Sequence, residues 1–176
     1  MSGYLIRPDG TGLHPIATDV HVEYPAWSPD SRRIAFMGGE LGASEYDIWI
    51  VGVDGSGLRQ LTDSFGSDGW PAWSPDGTRI AFTSVRDDCS YSDAVDCRTT
   101  GDEGPHHDVW VVNVDGTGLQ RVTPEFGQFV TWSRDGEHLL VSGYDLYVIR
   151  PDGTGRASVE VDGLADGLFP DWIAAA

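Results

Sequence analysis

Basic residues are scarce in this chain of 176 residues: 11 Lys and Arg stand against 28 Asp and Glu, a formal charge of −17. Such a field repels phosphate backbones and anionic lipid, so nucleic acid is disfavoured as a partner and basic partners or divalent cations are favoured. The same acidity also serves simply to keep an exposed surface soluble. Long apolar runs are missing too. No stretch approaches the ~20 residues that span a bilayer, so membrane insertion is not expected. Met1-Ser2-Gly3-Tyr4 leads straight into a strand-like segment, without the basic and apolar regions of a signal peptide, as in an intracellular protein or a mature or trimmed chain.

Cysteine is nearly absent. Cys89 and Cys97 are the only two, eight apart in one segment. They either bridge, which would favour an oxidising compartment, or stand as two free thiols. Helical periodicity is absent from every window. So are the Gly-X-Ser-X-Gly elbow, the Gly-X-X-X-X-Gly-Lys phosphate loop and His-Glu-X-X-His. The five histidines, at 14, 21, 106, 107 and 138, lack metal-ligand spacing apart from one adjacent pair. These gaps point away from an enzyme.

Turn formers, by contrast, are plentiful, with 23 Gly and 10 Pro, and there are seven Trp. The tryptophans reveal the order. "PAWSPD" at Pro25–Asp30 returns as "PAWSPDG" at Pro71–Gly77, loosely as "VTWSRDG" at Val130–Gly136, and as "PDW" at Pro170–Trp172. Trp27, Trp73, Trp132 and Trp172 are thus separated by 46, 59 and 40 positions. A second string, Asp-Gly-Thr/Ser-Gly, starts at Asp9, Asp54, Asp115 and Asp152, with gaps of 45, 61 and 37. Both series stretch at one place, so a single insertion, about 86–108, interrupts a repeat of forty-odd residues.

Each repeat offers four strand candidates, rich in β-branched and aromatic residues and separated by Asp-Gly turns. The first ends at the Trp. The second is Ile34–Phe36 or Ile80–Thr83, the third Ile48–Val51 or Val109–Val112, the fourth Leu58–Leu61 or Leu119–Val122. The third is apolar on both sides and should be buried on both faces. Four short antiparallel strands per repeat predict an all-β fold, a β-propeller of four-stranded blades. The repeats run about 25–62, 71–123 and 130–161, the last degenerate in its fourth strand, and the whole of 1–176 reads as one domain.

Trp-Ser-Pro-Asp-Gly, a strand, a Tyr/Asp-led strand, Asp-Gly-X-X and then Leu-Thr resembles the TolB-type β-propeller repeat, a WD-like family found in TolB and in gating domains of some prolyl-oligopeptidase-like enzymes. The resemblance implies a binding or interaction scaffold without catalysis of its own, taking a protein, a peptide or a sugar at the channel mouth or loops. It also allows the propeller part of a carbohydrate- or peptide-processing enzyme, or a self-assembling module. Together with the cysteine pair it implies a periplasmic or secreted setting. Such folds serve many purposes, so the resemblance bears on fold more than on activity.

The chain opens in mid-repeat: "YLIRPDGTG" at Tyr4–Gly12 matches "YVIRPDGTG" at Tyr147–Gly155. Segments 4–17 and 168–176 are therefore expected to share one composite blade, giving four blades in a closed ring that hides strand edges. The alternative is half of a seven- or eight-bladed ring built by two chains, that is, a homo-oligomer through incomplete blades.

The Ser-Pro-Asp-Gly string itself has a structural task. Pro presets the turn, Asp binds nearby backbone, Gly accepts positive φ, and Trp offers a plate to pack between blades with one N–H to satisfy. A binding surface is expected one position earlier, at Tyr24, Trp70, Phe129 and Phe169, an aromatic in all four copies, with Glu23, Asp68 and Gln128 as polar neighbours. The plainer role for these rings is packing between blades. The insertion holds Asp87, Asp88, Asp93 and Asp96, which could gather Ca²⁺ through oxygen ligands, shaped by a Cys89–Cys97 bridge, or could meet a basic partner. No other cofactor is expected.

Overall fold

A computed structural model describes residues 2–43, 45–86, 107–123 and 126–160. Every regular element in them is a strand. The order is β1 (Gly3–Leu5), β2 (His14–Ala17), β3 (Glu23–Trp27), β4 (Arg33–Gly38), β5 (Asp47–Gly52), β6 (Arg59–Gln60), β7 (Asp68–Trp73), β8 (Arg79–Ser84), β9 (Asp108–Asn113), β10 (Gln120–Arg121), β11 (Gly127–Trp132), β12 (Leu139–Gly143), β13 (Leu146–Ile149) and β14 (Ala157–Ser158).

They form a two-stranded sheet, β1-β2, and three four-stranded meanders: β3-β4-β5-β6, β7-β8-β9-β10 and β11-β12-β13-β14. All pairings are antiparallel, as hairpin-connected strands must be. The all-β, blade-by-blade organisation expected from the repeat is thus observed. Fourth strands are shorter than the repeat suggests, because only two residues of each pair with the third strand. The insertion residues 87–106, the closing segment 168–176 and Phe169, with Cys89 and Cys97, lie outside the described residues.

The core is three layers, each between consecutive sheets. Ile16, Ala17 and Val20 meet Ile34, Phe36 and Val51 between the two-stranded sheet and the first meander. Ala35, Ile48 and Ile50 meet Trp73, Ile80 and Phe82 in the next layer. Ala81, Val109 and Val111 meet Val130, Trp132, Leu139 and Val141 in the third. Alternation along β4 and β8 explains this, since Phe36 and Ala35, or Phe82 and Ala81, point to opposite faces. A strand sandwiched on both sides has to be apolar throughout, and each fully buried Phe or Ile stabilises the stack by roughly 1.5–3 kcal/mol.

The Trp of each string locks one sheet to the sheet before it. Trp73 Nε1 donates to the Ala26 carbonyl at 3.0 Å, and Trp132 Nε1 to the Ala72 carbonyl at 3.1 Å. From the earlier sheet, Arg33 lies 4.8 Å over the Trp73 ring and Arg79 4.7 Å over Trp132. A flat guanidinium suits this stacking, which an ammonium would not reproduce.

The turn after each Trp is equally uniform. Ser74 Oγ donates to Asp76 at 2.6 Å and accepts the Arg79 N–H at 2.9 Å, while Asp76 also accepts the Thr78 N–H at 3.0 Å. Ser28 with Asp30, and Ser133 with Asp135, repeat these bonds. Such bonds hold the Asp76 carboxyl below its ordinary range, the Ser74 hydroxyl contributing most. Gly77 sits at φ 70°, whereas its counterpart Ser31 is forced to φ 57° with a side chain.

Candidate functional site: an aromatic rim

The Ser-Pro-Asp-Gly turns and the Asp-Gly-Thr/Ser-Gly turns both follow odd-numbered strands within a meander, so they share one edge of the blades. Asp54, Asp115 and Asp152 there accept N–H bonds from Ser56, Thr117 and Thr154 within their own turns. These carboxylates are committed to the scaffold. The opposite edge holds the starts of the first and third strands and the ends of the second, and it is where the aromatic positions gather.

Tyr24 and Trp70 stack with ring centroids 5.0 Å apart, although 46 residues separate them in the chain. Trp70 meets Phe129 edge-on at 5.7 Å and His107 at 5.7 Å. His107 meets Phe126 at 6.1 Å, and Phe126 stacks on Tyr144 at 4.9 Å. A continuous run of six rings therefore crosses three sheets. Tyr24 is 48% exposed and Tyr144 69%, with Trp70, Phe129, His107 and Phe126 half-buried between them. The sequence places three of these, Tyr24, Trp70 and Phe129, and the structure brings all three together.

Backbone distortion aims the rings. Tyr24 and Trp70 have φ of 47° and 50°, in the left-handed region that side chains seldom occupy. The register of β3 with β4 shifts between Glu23 and Ala26, and that of β7 with β8 between Gly69 and Ala72. Each bulge turns the aromatic residue out of the ladder just before the string. Strain of about 1–3 kcal/mol of this kind persists only where surrounding packing holds it, and it gathers at functional sites.

The polar residues divide. Glu23 is exposed beside Tyr24, and Gln128 is half-buried beside Phe129. Asp68 is not a rim group: it is fully buried and paired with Arg86 at 2.5 Å. Arg86 in turn lies 4.8 Å over Trp110 and 5.3 Å over Phe82. A buried carboxylate demands such a partner, which stands 18 residues away and cannot be recognised from the string.

A second tier of carboxylates opens the third strands. Asp108 pairs with Arg121 at 2.5 Å and Asp145 with Arg156 at 3.0 Å. Asp47 takes only amide and hydroxyl partners, with Gln60 at 2.9 Å and Thr62 at 3.4 Å. Burial, then the Asp68 and Asp63 carboxylates, push Asp47 up to about 7. Among the described residues no group of three or more His, Cys, Asp or Glu is arranged to hold a metal ion. The calcium ligands expected at Asp87, Asp88, Asp93 and Asp96 lie outside the described residues, but both flanks of the insertion, Arg86 and His107, stand at the rim edge.

No family model and no curated protein matches the chain. Its fold is shared by solved structures. A putative TolB from Agrobacterium tumefaciens superposes with a TM-score of 0.70 at 22% identity, over 89% of this chain and 55% of that one. TolB from Acinetobacter baumannii gives 0.68 at 17%, over 91% and 37%. A prolyl endopeptidase gives 0.62 at 17%, over 94% and 26%. The chain spans about half of the first structure and less of the others. At these identities the likeness speaks for architecture alone: the chain folds as an arc of a TolB-type β-propeller.

Proposed function

We propose that the protein is a non-catalytic binding scaffold whose aromatic rim takes a peptide segment of a protein partner or a sugar. The observation that carries this reading is the run of rings from Tyr24 to Tyr144, two of them held at positive φ by bulges. Ring faces set at varied angles offer stacking and edge contacts to an apolar or amphipathic ligand, and a single base-like or acid-like group is not the centre of the arrangement. The acidity of the chain adds a preference for a neutral or basic ligand. The similarity to TolB structures supports a scaffold. The similarity to a prolyl endopeptidase supports a second reading, the propeller part of a larger processing enzyme. The periplasmic or secreted setting implied by the resemblance belongs to the same proposal.

Titration with panels of proline-containing peptides and of neutral oligosaccharides, read by intrinsic tryptophan fluorescence, tests it. A saturable change with at least one probe is expected, lost on Trp70→Ala. No response from any probe, or a response that survives both Trp70→Ala and Tyr24→Ala, removes the rim as the site.

A further inference from the structure

A cavity lies at the turn edge of the first meander, on the opposite side from the aromatic rim. It measures about 450 Å³ and is bounded by the start of β4, by β6 and by the turn that joins β5 to β6. Register fixes which residues share its wall. Arg33 pairs with Gly52 and Ile50 with Arg59, so all four stand on the sheet face turned toward the second meander. Ile50 is buried and gives the wall an apolar part. Arg33 donates across the joint to the Gly77 carbonyl at 3.3 Å, and Arg59 donates to that of Val114, so both guanidiniums are held in place. Arg32 is the third cation of the lining.

Three arginines around one cavity stand out in a chain with 11 basic residues against 28 acidic ones. None of the three forms an ion pair among the described residues, whereas Arg86, Arg121 and Arg156 each hold a carboxylate. The other blades do not repeat the set. At the places of Arg32 and Arg59 the second meander has Thr78 and Gln120, and the third has Glu137 and Ala157. Asp54 also lines the cavity, but its carboxylate already accepts the N–H and the hydroxyl of Ser56 at 3.0 and 2.6 Å. Three guanidiniums against that one carboxylate leave an excess of two positive charges in the wall. Asp30, near Arg32 and Arg33, and Asp115, near Arg59, are likewise committed to Ser28 and Thr117, and neither lines the cavity.

Room for a ligand comes from Gly52. In the other Asp-Gly-Thr-Gly turns the residue at its place is Arg7, Asn113 or Arg150. Each lays its side chain against the last glycine of the turn, so closely that a Cβ there would collide with it. Gly52 has no side chain, and a Cβ on Gly57 would meet no atom within 4 Å. A slot that a polar side chain fills in three turns is therefore open in this one, beside three guanidiniums without counter-ions. We propose that the cavity binds a small dianion through a phosphate or carboxylate head, the oxyanion group that a guanidinium fork matches. Arg32 and Arg59 flank the head, Arg33, stacked 4.8 Å over Trp73, backs it, and Ile50 takes the apolar part of the ligand. The volume is that of a small-molecule site.

Titration of the full chain with inorganic phosphate, malonate and acetate at constant ionic strength, followed by the amide resonances of Ser56 and Gly57, tests this independently of any rim ligand. Saturable shifts with phosphate, malonate or both are expected below about 10 mM, with acetate about tenfold weaker or more. Phosphate alone points to a phosphate ester as the ligand class, and malonate alone to a dicarboxylate. Arg32→Ala, at an exposed side chain, should weaken binding about tenfold. Gly52→Asn, which copies Asn113, should abolish it by filling the slot. Arg134→Ala, at an exposed arginine of another turn, should leave binding unchanged. Circular dichroism checks that each variant is folded, and should Gly52→Asn fail to fold, Arg32→Ala decides alone. No saturable shift with either dianion overturns the proposal. Binding undiminished by Arg32→Ala, or acetate bound as tightly as the dianions, overturns it equally.

Discussion

Trp70 and Trp73 are three residues apart on one strand, and they do opposite things. Trp73, at the turn edge, is sunk into the joint with the sheet before it and has its N–H satisfied by Ala26. Trp70, at the rim edge, is twisted out of the ladder at φ 50° and shares its faces with Tyr24, Phe129 and His107. The turn edge is nearly identical from blade to blade. The rim edge varies more: Tyr24, Trp70 and Phe129 stand along the first strands, and Asp47 bonds Gln60 and Thr62 where Asp108 and Asp145 pair with Arg121 and Arg156. A scaffold requirement recurs because each blade must meet the same neighbour. A recognition surface need not recur, since a ligand is not itself periodic.

Substitutions that set one edge against the other should separate these roles. Trp73→Ala or Trp132→Ala should cost about 3–5 kcal/mol in chemical denaturation, because each opens a cavity between sheets and strands an arginine. A loss below about 1 kcal/mol would place the joint elsewhere. Asp47→Asn acts at the rim edge through pH. The folded-state pKa of Asp47 is raised to about 7, so its contribution is fully present below the unfolded value near 3.8 and is lost as pH rises through 7. The variant should therefore flatten the fall in stability between about pH 4 and 8 and gain of order 1–2 kcal/mol at pH 8, after allowance for solvent screening. An unchanged pH profile would show that Asp47 ionises normally.

Smaller effects should follow at the exposed rings. Trp70→Ala should lower stability by only about 1 kcal/mol while removing ligand response, and Trp70→Gly should be less harmful than Trp70→Ala, since glycine accepts the positive φ. The reverse order would mean that the bulge carries no strain. Ser31→Gly, which restores at the first turn the residue found at Gly77 and Gly136, should stabilise by about 0.5–1 kcal/mol, measured as a rise in denaturation midpoint.

The turn edge was legible in the sequence because its chemistry is local. Ser74, Asp76 and Gly77 make their bonds within five residues, so the string discloses its own geometry. The first-strand aromatics were legible as well, by their fixed place one position before the string. Three rings of the rim, His107, Phe126 and Tyr144, were not. They stand on connections between strands, where spacing varies, and join the others only when sheets stack. Asp68 was misplaced for a related reason, as its burial depends on Arg86 across a hairpin. The φ of Tyr24 and Trp70 also gave no signal, since neither residue type ordinarily marks a left-handed position.

The joint between sheets has a further consequence for how such a chain lengthens or shortens over generations. Among the described residues, the second and third meanders each present an indole donor on the leading side, and the first and second each present a main-chain carbonyl on the trailing side. The acceptor in both joints is a main-chain carbonyl, of Ala26 and of Ala72, a group that every residue type carries. A duplicated blade therefore arrives with both halves of the connector already in place, and it can be spliced between any two others without adjusting either neighbour. Tandem duplication is thereby a cheap genetic step, and ring size can drift while the individual unit is preserved.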